Sequence, residues 1–461
     1  MRFQAALRWL TKPLNLWLTV LIYTVAMGLL IQLVILPHVF PTWHAGHGLI
    51  TGVDGLKFHR AALEMAQAIE AHGWGAWNLR AGGQVVSGVA AVFYVLIYPE
   101  PWSVLPLNGI LNASACVCLF MILRRLTSDP VRALVATAPF VLFPSSLLWN
   151  TQFHNDNYAV PGVILMLCGW VTLVQAEKSN SRQSLLGILG ALALVATGSV
   201  LLWIVRSYIF DSMARVMVLA AATLLLVRAI RRVGIPQWAL GAAVMLAASA
   251  TMLLVATALA PLERGGTSAP LPEQGTASVT DQGQNRLDRK WTWSAWMPRF
   301  VDQQLSTMAY RRRESIRLRQ AGDSGIDLDV RLQSAADVVA YGPRALQIAF
   351  LSPFPAMWFS PGTMASGTAM RVVSAFEMIV VYACLLGLPL FLWRHRGSEA
   401  VWFMLAICTV MLTAYAMSVA NIGALYRFRY PFLMPLVALG ASGWLERIPF
   451  KSPAPRMKAG E

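Results

Sequence analysis

Charge is what this sequence has least of. Only 13% of its 461 residues are Asp, Glu, Lys or Arg, against roughly a quarter in an ordinary soluble domain. Hydrophobic residues make up 57%, and a soluble chain this apolar could not cover its own surface. Cysteine is scarce as well. Cys116, Cys118, Cys168, Cys384 and Cys408 all fall inside apolar runs, where thiols behave as small buried hydrophobes. That pattern excludes a disulfide framework, and Cys116 and Cys118 are too close for a C-x-x-C metal pair. No Lys/Arg stripe with interleaved aromatics is present, so the net charge of +15 does not mark a nucleic-acid face. The first apolar run has no small-residue cleavage site and is too long for a signal-peptide core. It reads as an uncleaved first helix. No internal repeat or heptad pattern is visible.

What is there is a series of apolar blocks of about twenty residues, the length that crosses roughly 30 Å of hydrocarbon. The fold class is therefore an all-α polytopic membrane protein. Run length predicts ten spans, at 14–36, 104–123, 131–149, 158–176, 184–204, 212–229, 236–260, 371–393, 399–419 and 430–446. Short basic clusters separate them: Arg124/Arg125/Arg132, Lys178/Arg182, Arg228/Arg231/Arg232 and Arg394/Arg396, with Arg2/Arg8/Lys12 and Arg447/Lys451/Arg456/Lys458 at the ends. All fall on one side if both termini are cytoplasmic, as the positive-inside rule expects. Three regions follow: a transmembrane part over 1–260 with a first outer loop at 38–103, an outer loop at 261–369, and C-terminal helices with a cytoplasmic tail at 370–461.

The outer segments are unusual. In the first loop, 56–72 has Phe58, Ala62, Met65 and Ile69 on one face and Arg60, Glu64 and Glu70 on the other, the pattern of a helix lying in the interface. The stretch 85–98 is apolar but short and reads as half-inserted. In the long loop, 261–285 is rich in Gly, Pro, Ser, Thr and Gln and reads as flexible. Short helices are expected over 286–345, one of them near 301–320. The aromatic, proline-rich stretch 349–358 suits an interfacial corner.

Ionisable residues at membrane depth or at its rim are costly, so they are functional candidates. On the outer side these are Asp54, Lys57, His59 and Arg60 in the first loop, His154 and Asp156 at the second corner, Arg206 at the third, and Arg427 and Arg429 at the last. Each has a plainer alternative. Asp54 before Gly55 could make a turn or cap the next helix, and Asp156 could cap a helix starting near Tyr158. Arg427 and Arg429 could snorkel to headgroups, although two arginines on the cation-poor side favour function. His44 and His47 have a metal-like spacing, but no carboxylate completes a zinc signature.

Three motifs carry a resemblance. Asp54-Gly55-x-Lys57-Phe58-His59-Arg60-Ala61-Ala62 follows the first helix. Leu107-Asn108-Gly109-Ile110-Leu111-Asn112 opens a helix ending at Arg124-Arg125. Tyr426-Arg427-Phe428-Arg429-Tyr430-Pro431-Phe432-x-x-Pro435 precedes the last helix. The chain resembles the polyprenyl-phosphate-sugar-dependent glycosyltransferases of the GT-C fold, among them protein O-mannosyltransferase-like and aminoarabinose-transferase-like enzymes. It departs from them in its second acidic site, His154-Asn155-Asp156-Asn157, and in carrying its large polar segment between helices.

The resemblance implies a membrane glycosyltransferase of the bacterial inner membrane. It would move a sugar from a polyprenyl-phosphate donor to a glycan, lipid or protein acceptor at the periplasmic face, by single displacement with inversion. Asp54 is then the expected base. Arg427 and Arg429, with Arg206, would clamp the phosphate. Lys57, His59, Arg60, His154, Asp156 and Tyr426 complete the expected site. Asp54 and Asp156 could offer oxygens to Mg²⁺ or Mn²⁺. Two other readings compete: a transporter or flippase of a lipid-linked glycan, and a non-catalytic subunit of a polysaccharide assembly complex. Glu377 is the clearest charge within a span.

Overall fold

The computed structural model describes residues 2–52, 54–127, 129–175, 182–231, 235–264, 291–318, 324–362 and 365–448. It is almost wholly helical. In chain order the helices are α1 (Arg2–Leu10), α2 (Pro13–Leu30), α3 (Gly55–His72), α4 (Val85–Leu96), α5 (Leu105–Leu126), α6 (Pro130–Leu142), α7 (Pro144–Asn150), α8 (Asp156–Gln175), α9 (Arg182–Ile230) and α10 (Ile235–Arg264). There follow α11 (Arg299–Leu318), α12 (Ala335–Leu351), α13 (Ala365–Arg394), α14 (Glu399–Ser418), α15 (Ile422–Phe428) and α16 (Tyr430–Leu445). A π-helical stretch, Ile31–Val39, extends α2, and β1 (His44–Gly46) pairs antiparallel with β2 (Leu49–Ile50). Most of the segment expected to be flexible lies outside the described residues; its first part, 261–264, continues α10.

Among the described residues, seven helices are long and apolar enough to cross a bilayer, or eight if α6 and α7, bent by 62° at their junction, form one span. The expected ten differ by two elements. The segment 430–445 is helical but short. The segments 184–204 and 212–229 are joined in the single helix α9, broken at Arg206, where φ is −151° and ψ is 67°. Contacts at both ends of α8 show what this break does. Residues 191 and 195 lie against Gly169, and 198 and 202 against Gly162, so the first half of α9 runs antiparallel to α8. Arg228, at the far end of α9, donates to Val174 O at the other end of α8. The chain therefore goes out and comes back, reversing at Arg206.

Close helix contacts use small residues, as expected where lipid removes the hydrophobic drive between helices. A Cβ on Gly198 would meet Gly162 O at 2.5 Å. Gly387 of α13 and Gly440 of α16 press on each other's helix backbone in the same way.

The basic connections gather at one end of the bundle. Arg125 bonds Thr172, Arg132 donates to Ile448 O at 3.0 Å, Arg228 pairs with Glu399, and Arg394 and His395 both meet Glu446. The corners near residues 50, 154, 206 and 424 meet at the opposite end.

Candidate functional site

At that opposite end, side-chain amides fasten the first loop to the corner between α7 and α8. Gln152 Oε1 accepts from Ile50 N at 3.0 Å, and Gln152 Nε2 donates to Gly48 O at 3.1 Å. Gln32, in the π-helical stretch, donates to Thr151 O at 2.6 Å. A second seam joins 324–326 to 420–422, where Asn421 donates to Ser324 Oγ at 2.7 Å and caps α15 by accepting from Ala424 N.

Between these seams lies a cavity of about 490 Å³, within the size range of small-molecule sites. Leu148, Trp149, Met357, Met370 and Ile422 contribute apolar wall; His154, Gln152, Arg371, Tyr426 and Arg427 contribute the polar side. Behind His154 and Arg427 sits an ionic cluster. Asp156, 4% exposed, meets Arg206 at 2.8 Å and Arg427 at 3.8 Å. Arg206 in turn lies over the Phe428 ring, 4.3 Å from its centroid. Arg427 Nη1 donates to His154 Nδ1 at 3.2 Å, which puts any proton of the neutral ring on Nε2. Burial, reinforced by Arg427, lowers the His154 pKa from 6.5 to about 4, against the opposing charges of Asp156 and Asp54. His154 is therefore neutral at pH 7.

The structure thus brings together five of the sequence-derived candidates: His154, Asp156, Arg206, Tyr426 and Arg427. Asp156 opens α8, but its carboxylate turns to the arginines. Asp54 stands apart. It is exposed, makes no side-chain cap to α3 and does not line the cavity, although its charge reaches His154. Lys57 and Arg60 are exposed. His59 is buried in a separate cluster, bonded through Nδ1 to Tyr94 OH at 2.6 Å, with the His47 ring tilted against it, 4.4 Å between centroids. Burial, then His47, lowers its pKa to about 4.

Arg429 does not face the cavity. It is fully buried, donating to Ala349 O at 3.1 Å and to Ser352 Oγ, and it lies over the Tyr426 ring, 5.0 Å from its centroid. The helix explains this: side chains two apart point about 200° apart around the axis.

Two residues of the site, one on the cavity wall and one behind it, escaped the sequence reading. Arg371 lines the cavity and donates to Ser360 O, Ser360 Oγ and Pro361 O. Its signal was a cation opening a predicted span. Glu377, 3% exposed, accepts from Ser145 N and Ser145 Oγ at 2.7 Å each and from Tyr426 OH at 2.5 Å. It ties α7, α13 and α15 together directly behind two cavity residues.

A divalent ion does not fit this donor set. The Asp156 carboxylate is flanked by two guanidinium groups, and among the described residues no three His, Cys, Asp or Glu side chains gather as metal ligands. No protein-family model, curated protein or solved structure matches this chain.

Proposed function

We propose that the protein is a glycosyltransferase that takes a sugar from a polyprenyl-phosphate donor and passes it to an envelope glycan, lipid or protein at the outer face of the bacterial inner membrane. Both termini are then cytoplasmic, and loops 38–103 and 261–369 are periplasmic. The observation that carries this reading is the pairing of an apolar cavity wall with Arg427, Arg371 and the neutral His154 at one end of a membrane-spanning bundle. An amphiphile with a phosphate head needs both features.

In this reading Arg427 meets the donor phosphate, and Asp156 with Arg206 holds its guanidinium in place. The acceptor oxygen attacks the anomeric carbon, the bond from that carbon to the phosphate oxygen breaks, and polyprenyl phosphate leaves with the bonding electrons. Arg427 and Arg371 meet the charge that grows there. The acceptor proton goes to Asp54. Because Asp54 is exposed, the acceptor must arrive from the solvent side of His154. Arg429, as fully buried as it is, supports the Tyr426 wall and leaves the phosphate to its neighbours.

The test is transfer in detergent from polyprenyl-phosphate-linked sugars to envelope extracts, comparing wild type with Asp54→Asn. Product that vanishes in the variant supports the reading. Binding of polyprenyl phosphate with no product from either protein would instead favour a carrier of the lipid-linked glycan, the alternative that the exposure of Asp54 favours.

A further inference from the structure

Helix α11 belongs to the long outer loop, yet its contacts follow the second half of α9 downward. Arg215 Nη1 donates to Gln304 Oε1 at 2.9 Å. Arg311 lies over the Tyr208 ring, 4.9 Å from its centroid. The two pairs share one antiparallel register, because 304 to 311 and 208 to 215 are equal steps. The upper end of α11 is fixed at the outer end of α14, where Arg312 approaches Ala416 O and Ser315 Oγ accepts from Ala420 N. Carried one turn below Gln304, the register sets Phe300 level with Leu219. Leu219 is 69% exposed in a segment apolar enough to span a membrane, so at that level α9 already faces hydrocarbon.

Around this lower end the chain exposes large aromatics. Phe300 is 72% exposed, Trp296 64% and Trp293 39%. Arg299 lies over the Trp293 ring, 5.6 Å away. Aromatic rings beside a cation, at the depth where a helix enters lipid, are the composition of an interfacial belt.

We propose that the start of α11 and the turn before it are seated in the bilayer leaflet on the cavity side. Trp293, Trp296 and Phe300 lie at the headgroup–acyl boundary, and Arg299 reaches the lipid phosphates. The outer loop is thereby wedged onto the membrane at a second point, apart from its chain connections. This inference does not depend on the transferase reading.

Spin labelling tests it. A nitroxide is placed at Phe300→Cys, separately at Trp296→Cys, and as a water reference at Asp329→Cys, an exposed position level with Ala420. The full chain is reconstituted in nanodiscs of phosphatidylethanolamine and phosphatidylglycerol, and unsubstituted protein corrects for native thiols. The expected result is a ratio of oxygen to nickel-chelate collision at positions 300 and 296 at least about threefold that at 329, as for an interfacial site. Water-like ratios at both positions would overturn the proposal. So would a label screened from both reagents, which would mean that protein covers the patch. Two labelled positions guard against one variant failing to fold.

Discussion

The two ends of the bundle both carry ion pairs, and they differ in how deeply the charges are buried. At the basic end the pairs keep contact with water: Glu399, held by Arg228, leaves 30% of its side chain exposed, and Arg394, which meets Glu446 beside His395, leaves 40%. At the other end one carboxylate, Asp156, is shared by Arg206 and Arg427, and Arg371 lines the same cavity. Asp156 is 4% exposed, and the arginine it holds at 3.8 Å, Arg427, faces that cavity with its apolar wall. Ion pairs of the first kind fasten helices; the second kind also presents a cation to a cavity, where the proposed reading seats the donor phosphate.

The sharpest way to break this comparison is to remove one cation from each end. Arg206→Leu leaves Asp156 buried with only its longer contact to Arg427, and folding stability should fall by about 3–5 kcal/mol. Arg228→Leu should cost less, because Glu399 keeps 30% of its side chain exposed and can turn to water. Thermal unfolding in detergent measures both, and equal losses would erase the distinction between the ends.

The next effect is on binding. Arg427→Ala should weaken polyprenyl-phosphate affinity about 100-fold, or about 2.7 kcal/mol, while the unfolding temperature stays near wild type. Arg429→Ala should do the reverse, lowering stability and leaving the affinity of the folded protein unchanged. Isothermal titration with the lipid phosphate separates the two, and a binding loss in both would return Arg429 to the clamp.

A smaller effect is expected from Glu377→Gln. The amide offers one acceptor oxygen where the carboxylate offers two, so the Tyr426 and Ser145 hydroxyls must turn from donating to accepting and the charge that strengthens these bonds is lost. Affinity should fall about tenfold. In a Tyr426→Phe background the same substitution should add little, since the two residues act through one contact. Additive losses would mean that Glu377 does not work through Tyr426.

The smallest effect concerns pH. His154 and His59 both have pKa values lowered from 6.5 to about 4. The unfolded chain therefore binds protons that the folded protein refuses, and stability falls as pH drops from about 6.5 toward 4. Unfolding temperatures across this window should show the decline, and His154→Asn should flatten part of it. A curve unchanged by that substitution would place the acid sensitivity elsewhere.

Much of this architecture was legible in the sequence because apolar run length is a strong signal. The amphipathic helix of the first loop, expected over 56–72, is α3 at Gly55–His72, and the helix expected near 301–320 is α11. The span count was less legible. No proline or glycine marks the reversal at Arg206, so α9 keeps a nearly continuous helical bonding pattern through its turn. The convergence of His154, Asp156, Arg206 and Arg427 followed from their common side of the membrane. Which way each pointed did not. Arg427 and Arg429 share one short motif, yet helix geometry sends one to the cavity and the other into the protein. Asp54 lay in the most suggestive motif of the chain, and its neighbours line the cavity without it. Glu377 and Arg371 stood alone in apolar sequence, where no spacing rule links them to residues far along the chain.

The reversal at Arg206 has a consequence for anyone modifying this protein. A chain that turns back inside a helix has no slack at the turn. Epitope tags or protease sites should be accepted between α3 and α4, where irregular backbone separates the helices. The same insertion at 205–207 would pull Arg206 off Asp156 and unseat the corner behind the cavity at once.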